Sequence, residues 1–201
     1  MRRVLPIALV ACIWLGEATV ARGGFAYTTL TPTDSVNSFA YGINDRGDVV
    51  GNYTTEGGDS LGFLLSGGVY STVSYGLLHG TAVAGINDAG TMVGFYYLPF
   101  DSFPGGFKVV AGSTSALNIP GARTTQALGV NSAGLIVGTF EDAQDRRHGF
   151  LVDGPTFTVL DAPGDSTIAY GINDAGDVVG SYLGQDGDRG FLLSGGQYTT
   201  L

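Results

Sequence analysis

The sequence predicts an all-β protein made of a repeated four-stranded unit, and three observations carry that expectation. A ten-residue phrase occurs four times, as GINDRGDVVG at Gly42–Gly51, GINDAGTMVG at Gly85–Gly94, GVNSAGLIVG at Gly129–Gly138 and GINDAGDVVG at Gly171–Gly180, at intervals of 43, 44 and 42 residues. A Gly-Phe phrase follows each copy, at Gly62-Phe63, Gly106-Phe107, Gly149-Phe150 and Gly190-Phe191. Beyond the N-terminal segment no stretch shows helical periodicity over ten or more residues. A period of this size marks stacked or radial repeats. Four short antiparallel strands per unit make a β-propeller-like array of four blades, with repeats at about 37–78, 79–122, 123–165 and 166–201.

The N-terminal segment is read apart from the repeats. Arg2 and Arg3 precede an apolar run from Val4 to Leu15, and small residues at Ala18 and Ala21 offer cleavage positions. The run is shorter than the roughly 20 residues of a membrane span. Residues 1–21 are therefore expected to be a secretory signal, and 22–201 one β-repeat domain without a transmembrane span. Cys12, the single cysteine, sits in Leu9-Val10-Ala11-Cys12, which resembles a lipoprotein box, yet the apolar run continues past it. A mature chain starting after Ala21 has no cysteine, so no disulfide supports it and sheet packing must.

Charge narrows the partner classes. The chain has 18 acidic and 9 basic residues, and losing residues 1–21 removes Arg2, Arg3 and Glu17 to leave 17 against 7. Such a domain repels phosphate backbones, so nucleic acid is excluded as a partner.

Within the first repeat the candidate strands are Ser38–Ile43, Asp48–Thr54, Leu61–Ser66 and Tyr70–Ser74, each rich in Val, Tyr, Phe or Thr and bounded by glycine. A further strand of the fourth type, Phe25–Leu30, precedes the first repeat and matches Gln197–Leu201. It leaves two alternatives, a closed ring with a redundant strand or an open array. The first two strands of each repeat are joined by a tight turn, with Asn44, Asp45 and Gly47, then Asn87, Asp88 and Gly90, then Asn131 and Gly134, then Asn173, Asp174 and Gly176. Side-chain oxygens satisfy nearby backbone N–H groups there, and the glycine takes the left-handed position. Small residues before each turn suit a crowded centre. Tyr53, Tyr96, Phe140 and Tyr182, with the four Gly-Phe phenylalanines, supply core layers.

The phrase Gly-Ile-Asn-Asp-x-Gly-x-Val-Val-Gly, followed by Gly-Phe-Leu and Tyr-Thr-Thr-Leu, resembles the HAF-type bacterial extracellular repeat over roughly residues 25–201. The match is looser in the third copy. The resemblance implies export and a propeller-like fold, and it supplies no catalytic residues.

Function is expected where the copies differ. The connections Thr54–Ser60, Leu98–Pro104, Glu141–His148 and Leu183–Arg189 vary and share one face. Phe100, Asp101, Phe103, Arg146, Arg147, His148, Asp186 and Arg189 are the candidate contacts there for an extracellular glycan or protein. A rival reading is a GDSL-type serine esterase. Gly58-Asp59-Ser60-Leu61, Gly85-Ile86-Asn87-Asp88 and Asp145-Arg146-Arg147-His148 resemble its blocks, with Ser60 as nucleophile, His148 as base and Asp145 orienting it. The second block belongs to the repeat, and no helix follows the first, so a non-catalytic scaffold is the preferred reading. A third reading is a structural segment of a longer surface protein. No cofactor is expected. Calcium is the one cation the acidic turns suggest, but each turn offers only a few of the six to eight oxygens it takes. His79 and His148 share no metal-binding spacing, so no metal site is assigned.

Overall fold

A computed structural model of the chain describes residues 19–20, 26–76, 80–97 and 103–201. The expected secretory segment, Cys12, His79, Phe100 and Asp101 lie outside the described residues, apart from Thr19–Val20. The chain divides into two compact units, Met1–Thr31 and Pro32–Leu201. In the first, β1 (Thr19–Val20) pairs antiparallel with β2 (Ala26–Tyr27), so of the expected Phe25–Leu30 strand, whose Phe25 lies outside the described residues, Ala26 and Tyr27 are β and Thr28–Leu30 are not.

The second unit is four successive antiparallel blades, and every regular element described in it is a strand. Blade one is β3 (Ser35–Ile43), β4 (Val49–Thr55), β5 (Ser60–Ser66) and β6 (Val69–Val73). Blade two is β7 (Gly80–Ile86), β8 (Met92–Tyr97), β9 (Pro104–Val110) and β10 (Ser113–Leu117). Blade three is β11 (Thr124–Val130), β12 (Ile136–Glu141), β13 (Arg147–Asp153) and β14 (Thr156–Leu160). Blade four is β15 (Thr167–Ile172), β16 (Val178–Gly184), β17 (Gly187–Ser194) and β18 (Gln197–Thr200). Within each blade the strands pair in sequence order. A single parallel contact, Ser60 with Gly80, joins blades one and two.

Each first strand carries a register shift that the sequence did not announce. It falls between Ala40 and Gly42, Val83 and Gly85, Ala127 and Gly129, and Ala169 and Gly171. Such a bulge bends the strand and increases its twist. In the first three blades the glycine after the bulge sits against the next blade. A Cβ on Gly42, Gly85 or Gly129 would stand 3.3, 3.4 or 3.2 Å from the Cα of Gly85, Gly129 or Gly171. Glycine is required here by close approach of two backbones.

The core is three clusters, one per junction. Val50 of blade one joins Val83, Ile86, Met92, Phe107 and Val109 of blade two. Val93 and Leu117 join Ala127, Ile136, Phe140, Phe150 and Val152 of blade three. Val137 and Leu160 join Ala169, Val178, Tyr182 and Phe191 of blade four. Each of the first three blades thus hides its valine face against the next blade, as in other repeat architectures. Phe63, Phe107, Phe150 and Phe191 are fully buried, and each such side chain contributes about 1.5–3 kcal/mol.

Candidate functional site: an inter-blade cleft and a ladder of turns

Two concave features arise from this stacking. The first lies on the variable-loop face between blades two and three. It has a volume of about 260 Å³ and is lined by Tyr97, Phe103, Pro104, Thr124, Gln126, Thr139, Glu141 and Arg147. The antiparallel pairing of β11, β12 and β13 sets Glu141 beside both Thr124 and Arg147. Glu141 accepts from the Arg147 guanidinium at 2.7 Å, and the Thr124 hydroxyl accepts from the Glu141 N–H at 3.2 Å. Thr139 donates its hydroxyl to the carbonyl of His148 at 3.0 Å. At the rim the Arg123 guanidinium lies 4.0 Å from the centre of the Phe103 ring and pairs with Asp145. The result is two aromatic rings beside hydrogen-bonded hydroxyl and charged groups and the amide of Gln126.

A charged cluster adjoins it on blade three. Asp142 accepts from the N–H groups of Gln144 and Arg146, and from the Arg146 side chain at 2.8 Å. These bonds, first of all the one from the Arg146 N–H, hold its carboxyl far below the usual range. His148 stacks on Phe140 with ring centres 5.0 Å apart. Its Nδ1 faces Asp161 Oδ1 at 2.9 Å and its Nε2 faces Asp142 Oδ2 at 3.3 Å. Partial burial pulls the imidazole pKa down, but the two carboxylates outweigh it and the net shift is upward.

These partners settle where the expected residues stand. Phe103 and Arg147 line the cleft, while Arg146 and His148 belong to the adjoining cluster. Asp186 and Arg189 flank the β16–β17 hairpin and face each other at 3.8 Å. The hydrogen-bond chain of a Ser60–His148–Asp145 triad is not formed. Ser60 accepts from Asn52 at 2.8 Å, Asp145 is taken by Arg123, and both His148 nitrogens face other carboxylates. Tyr97, Thr124, Gln126 and Thr139 fall outside the expected set, because they lie on strands and variation between copies points to loops. The crowding of acid and base in Glu141-Asp142 and Arg146-Arg147-His148 is the signal that marks this region in the sequence.

The second feature is a concavity of about 360 Å³ where the four repeated turns converge, lined by Asn44, Asn87, Asn131, Asn173 and their neighbours. Each Asn closes its own turn, since its Oδ1 accepts from the N–H of Asp48, Thr91, Leu135 or Asp177 at 2.9 Å. The turn glycines have φ of 79°, 79°, 82° and 87°. Each of the first three amides also reaches the next blade. Asn44 donates to the Asn87 carbonyl at 3.2 Å, Asn87 to that of Asn131 at 2.8 Å, and Asn131 to that of Asn173 at 3.0 Å. A second rung joins the Asp45 N–H to Asp88 and the Ser132 N–H to Asp174, both at 2.8 Å. These residues, expected as structural turns, thus also tie neighbouring blades together.

The turn carboxylates are also occupied. Bonds from Ser66, Asn44 and Arg46 bring Asp48 down to about 2, and Ser194 and Asn173 lower Asp177. Among the described residues no group of three or more His, Cys, Asp or Glu is placed to hold a metal ion.

No family model and no curated protein matches the chain. Among solved structures it is similar to TolB from Acinetobacter baumannii, a β-propeller protein, with a TM-score of 0.67 at 13% identity, covering 89% of this chain and 46% of that one. It is also similar to a triple arginine-to-alanine mutant of AofleA from Arthrobotrys oligospora, with a TM-score of 0.50 at 14% identity, covering 84% of this chain and 57% of that one. The chain spans about half the length of these structures. At such identities the likeness shows the fold alone, a β-propeller-like array.

Proposed function

We propose that this propeller-like array is a secreted or cell-surface scaffold of the HAF type, without catalysis, that binds an extracellular glycan in the cleft between blades two and three. The observation that carries this reading is the make-up of the cleft. Tyr97 and Phe103 offer aromatic surface, and the Gln126 amide and the hydrogen-bonded pair Glu141 and Arg147 stand beside them as polar groups. A sugar ring presents an apolar C–H face and a rim of hydroxyls, which calls for that pairing of surfaces. The volume suits one small polar ring. The acidic surface of the chain favours neutral over anionic saccharides. An extracellular protein loop is the other occupant of the same class of site.

The test is calorimetric titration with a panel of neutral and uronic-acid oligosaccharides. A saccharide that binds the wild type, with affinity falling tenfold or more in Phe103→Ala and in Arg147→Ala, supports the reading. Binding by no saccharide, or binding indifferent to both substitutions, overturns it.

A further inference from the structure

The three junctions inside the chain define what each side of a blade needs. Toward the next blade, a blade offers a valine, a glycine and an Asn amide. Val50, Val93 and Val137 are 0% exposed at these junctions, whereas the corresponding Val179 of blade four is 45% exposed. Gly171 corresponds to Gly42, Gly85 and Gly129, yet among the described residues a Cβ there would meet only its own blade, at Val179. Asn173 donates to its own Asp177 and, among the described residues, makes no bond of the kind its three counterparts make to a following carbonyl. The same face carries a hollow of about 310 Å³ lined by Gly171, Ile172, Asn173, Asp177, Val179 and Leu192.

Blade one shows the opposite half. Val83, Ala127 and Ala169 are fully buried against the blade before them, but the corresponding Ala40 is exposed. Ile86 is buried, and the corresponding Ile43 is 68% exposed. The carbonyls of Asn87, Asn131 and Asn173 each receive a turn glycine N–H and the amide of the preceding Asn. Among the described residues the carbonyl of Asn44 receives only Gly47.

The open side of blade four and the open side of blade one are thus the two halves of an interface this chain already forms three times. We infer that they bind each other between molecules, so that the chain associates head to tail with a second copy of itself. Asn173 then donates to the partner's Asn44 carbonyl, Gly171 seats against the partner's Gly42, and Val179 enters the partner's first blade. The occupant must bring a glycine, a small apolar residue and an Asn carbonyl in one register, and blade one of a second copy has all three. The contact is heterologous, so it closes into a ring or extends according to the rotation per blade.

The mass of the full chain, measured by light scattering or sedimentation over a wide range of concentration, tests this. The expected result is a rise to at least twice the chain mass. Val179→Lys and Ala40→Arg change exposed side chains, so each is expected to remain monomeric and to unfold at the denaturant midpoint of the wild type at its most dilute, where association no longer contributes. Gly171→Ala is a milder variant expected to weaken association about tenfold. An equimolar mixture of Val179→Lys and Ala40→Arg is expected to give dimers and nothing larger, because one intact blade-four face remains to meet one intact blade-one face. A wild type monomeric at every concentration overturns the inference. So does association that survives both substitutions, as contacts through the apolar N-terminal segment would, or a mixture that stays monomeric.

Discussion

Asn87 donates its side-chain amide to the carbonyl oxygen of Asn131, 2.8 Å away and 44 residues along the chain. The same side chain accepts the N–H of Thr91 at 2.9 Å. One buried residue therefore closes a hairpin and ties that hairpin to the next blade. Only Asn does both at this size, since Asp lacks the donor and Ser lacks the reach. Repeated from Asn44 to Asn173, it makes the turns a continuous ladder around their concavity.

The ladder predicts a position-dependent cost. Asn87→Ala strands the part-buried Thr91 N–H and removes one bond from the buried Asn131 carbonyl, and is expected to destabilise by about 2 kcal/mol. Asn173→Ala, measured at low concentration, loses bonds that water replaces, because that side chain is exposed and among the described residues reaches no further blade. Its expected cost is about 1 kcal/mol or less. Urea unfolding of the two variants checks this, and equal costs would contradict an inter-blade role.

Glycine gives the second prediction. Gly129 packs on the blade after it, where an added Cβ would lie 3.1 Å from the Tyr170 carbonyl, so Gly129→Ala is expected to cost about 1–3 kcal/mol. Gly138 is tighter still. A Cβ there would overlap the Gln126 carbonyl at 2.0 Å and the Phe150 ring at 2.8 Å, and Gly138→Ala is expected to cost about 3 kcal/mol. Gly171→Ala, measured at low concentration, is expected to change stability by no more than about 0.5 kcal/mol. The order of the three unfolding midpoints is the readout, and a Gly171 variant as damaged as the Gly129 variant would refute it.

The fold was legible because its cause is periodic. The spacing of Asn44, Asn87, Asn131 and Asn173 gave the blade count, and runs rich in Val, Tyr, Phe and Thr between glycine clusters placed the strands within a few residues. The bulge at Tyr41, Ala84, Leu128 and Tyr170 was hidden, because one extra residue in a strand leaves no mark on composition. The between-blade role of the Asn amides was hidden for a related reason. A turn explains Asn locally, so nothing local demanded a second partner. The cleft was half legible. Phe103 and Arg147 were visible as differences between copies, but Thr124, Gln126 and Thr139 become a wall only when β11 and β12 stand beside blade two.

His148 gives the last prediction. Its ring nitrogens face Asp161 and Asp142, Arg146 shares Asp142, and the stacked Phe140 supplies the apolar side. Burial disfavours the imidazolium and the two carboxylates favour it more, so its pKa in the folded chain lies above the usual 6.5. A group raised on folding stabilises fully below its unfolded pKa and loses that contribution as pH rises through the folded value. Asp142 has the opposite sign. Its carboxyl is depressed, so its contribution is present above the unfolded value near 3.8 and is lost as pH falls toward the folded one. The stability difference between wild type and His148→Gln is therefore expected to be largest below the unfolded value of about 6.5 and to shrink as pH rises through the higher folded value. NMR titration, with the His148 resonance identified by its loss in His148→Gln, is expected to give a midpoint above 6.5, and Asp161→Asn is expected to lower it. A midpoint at or below 6.5 in the wild type would show that burial outweighs the two carboxylates and would remove this cluster as a source of pH dependence.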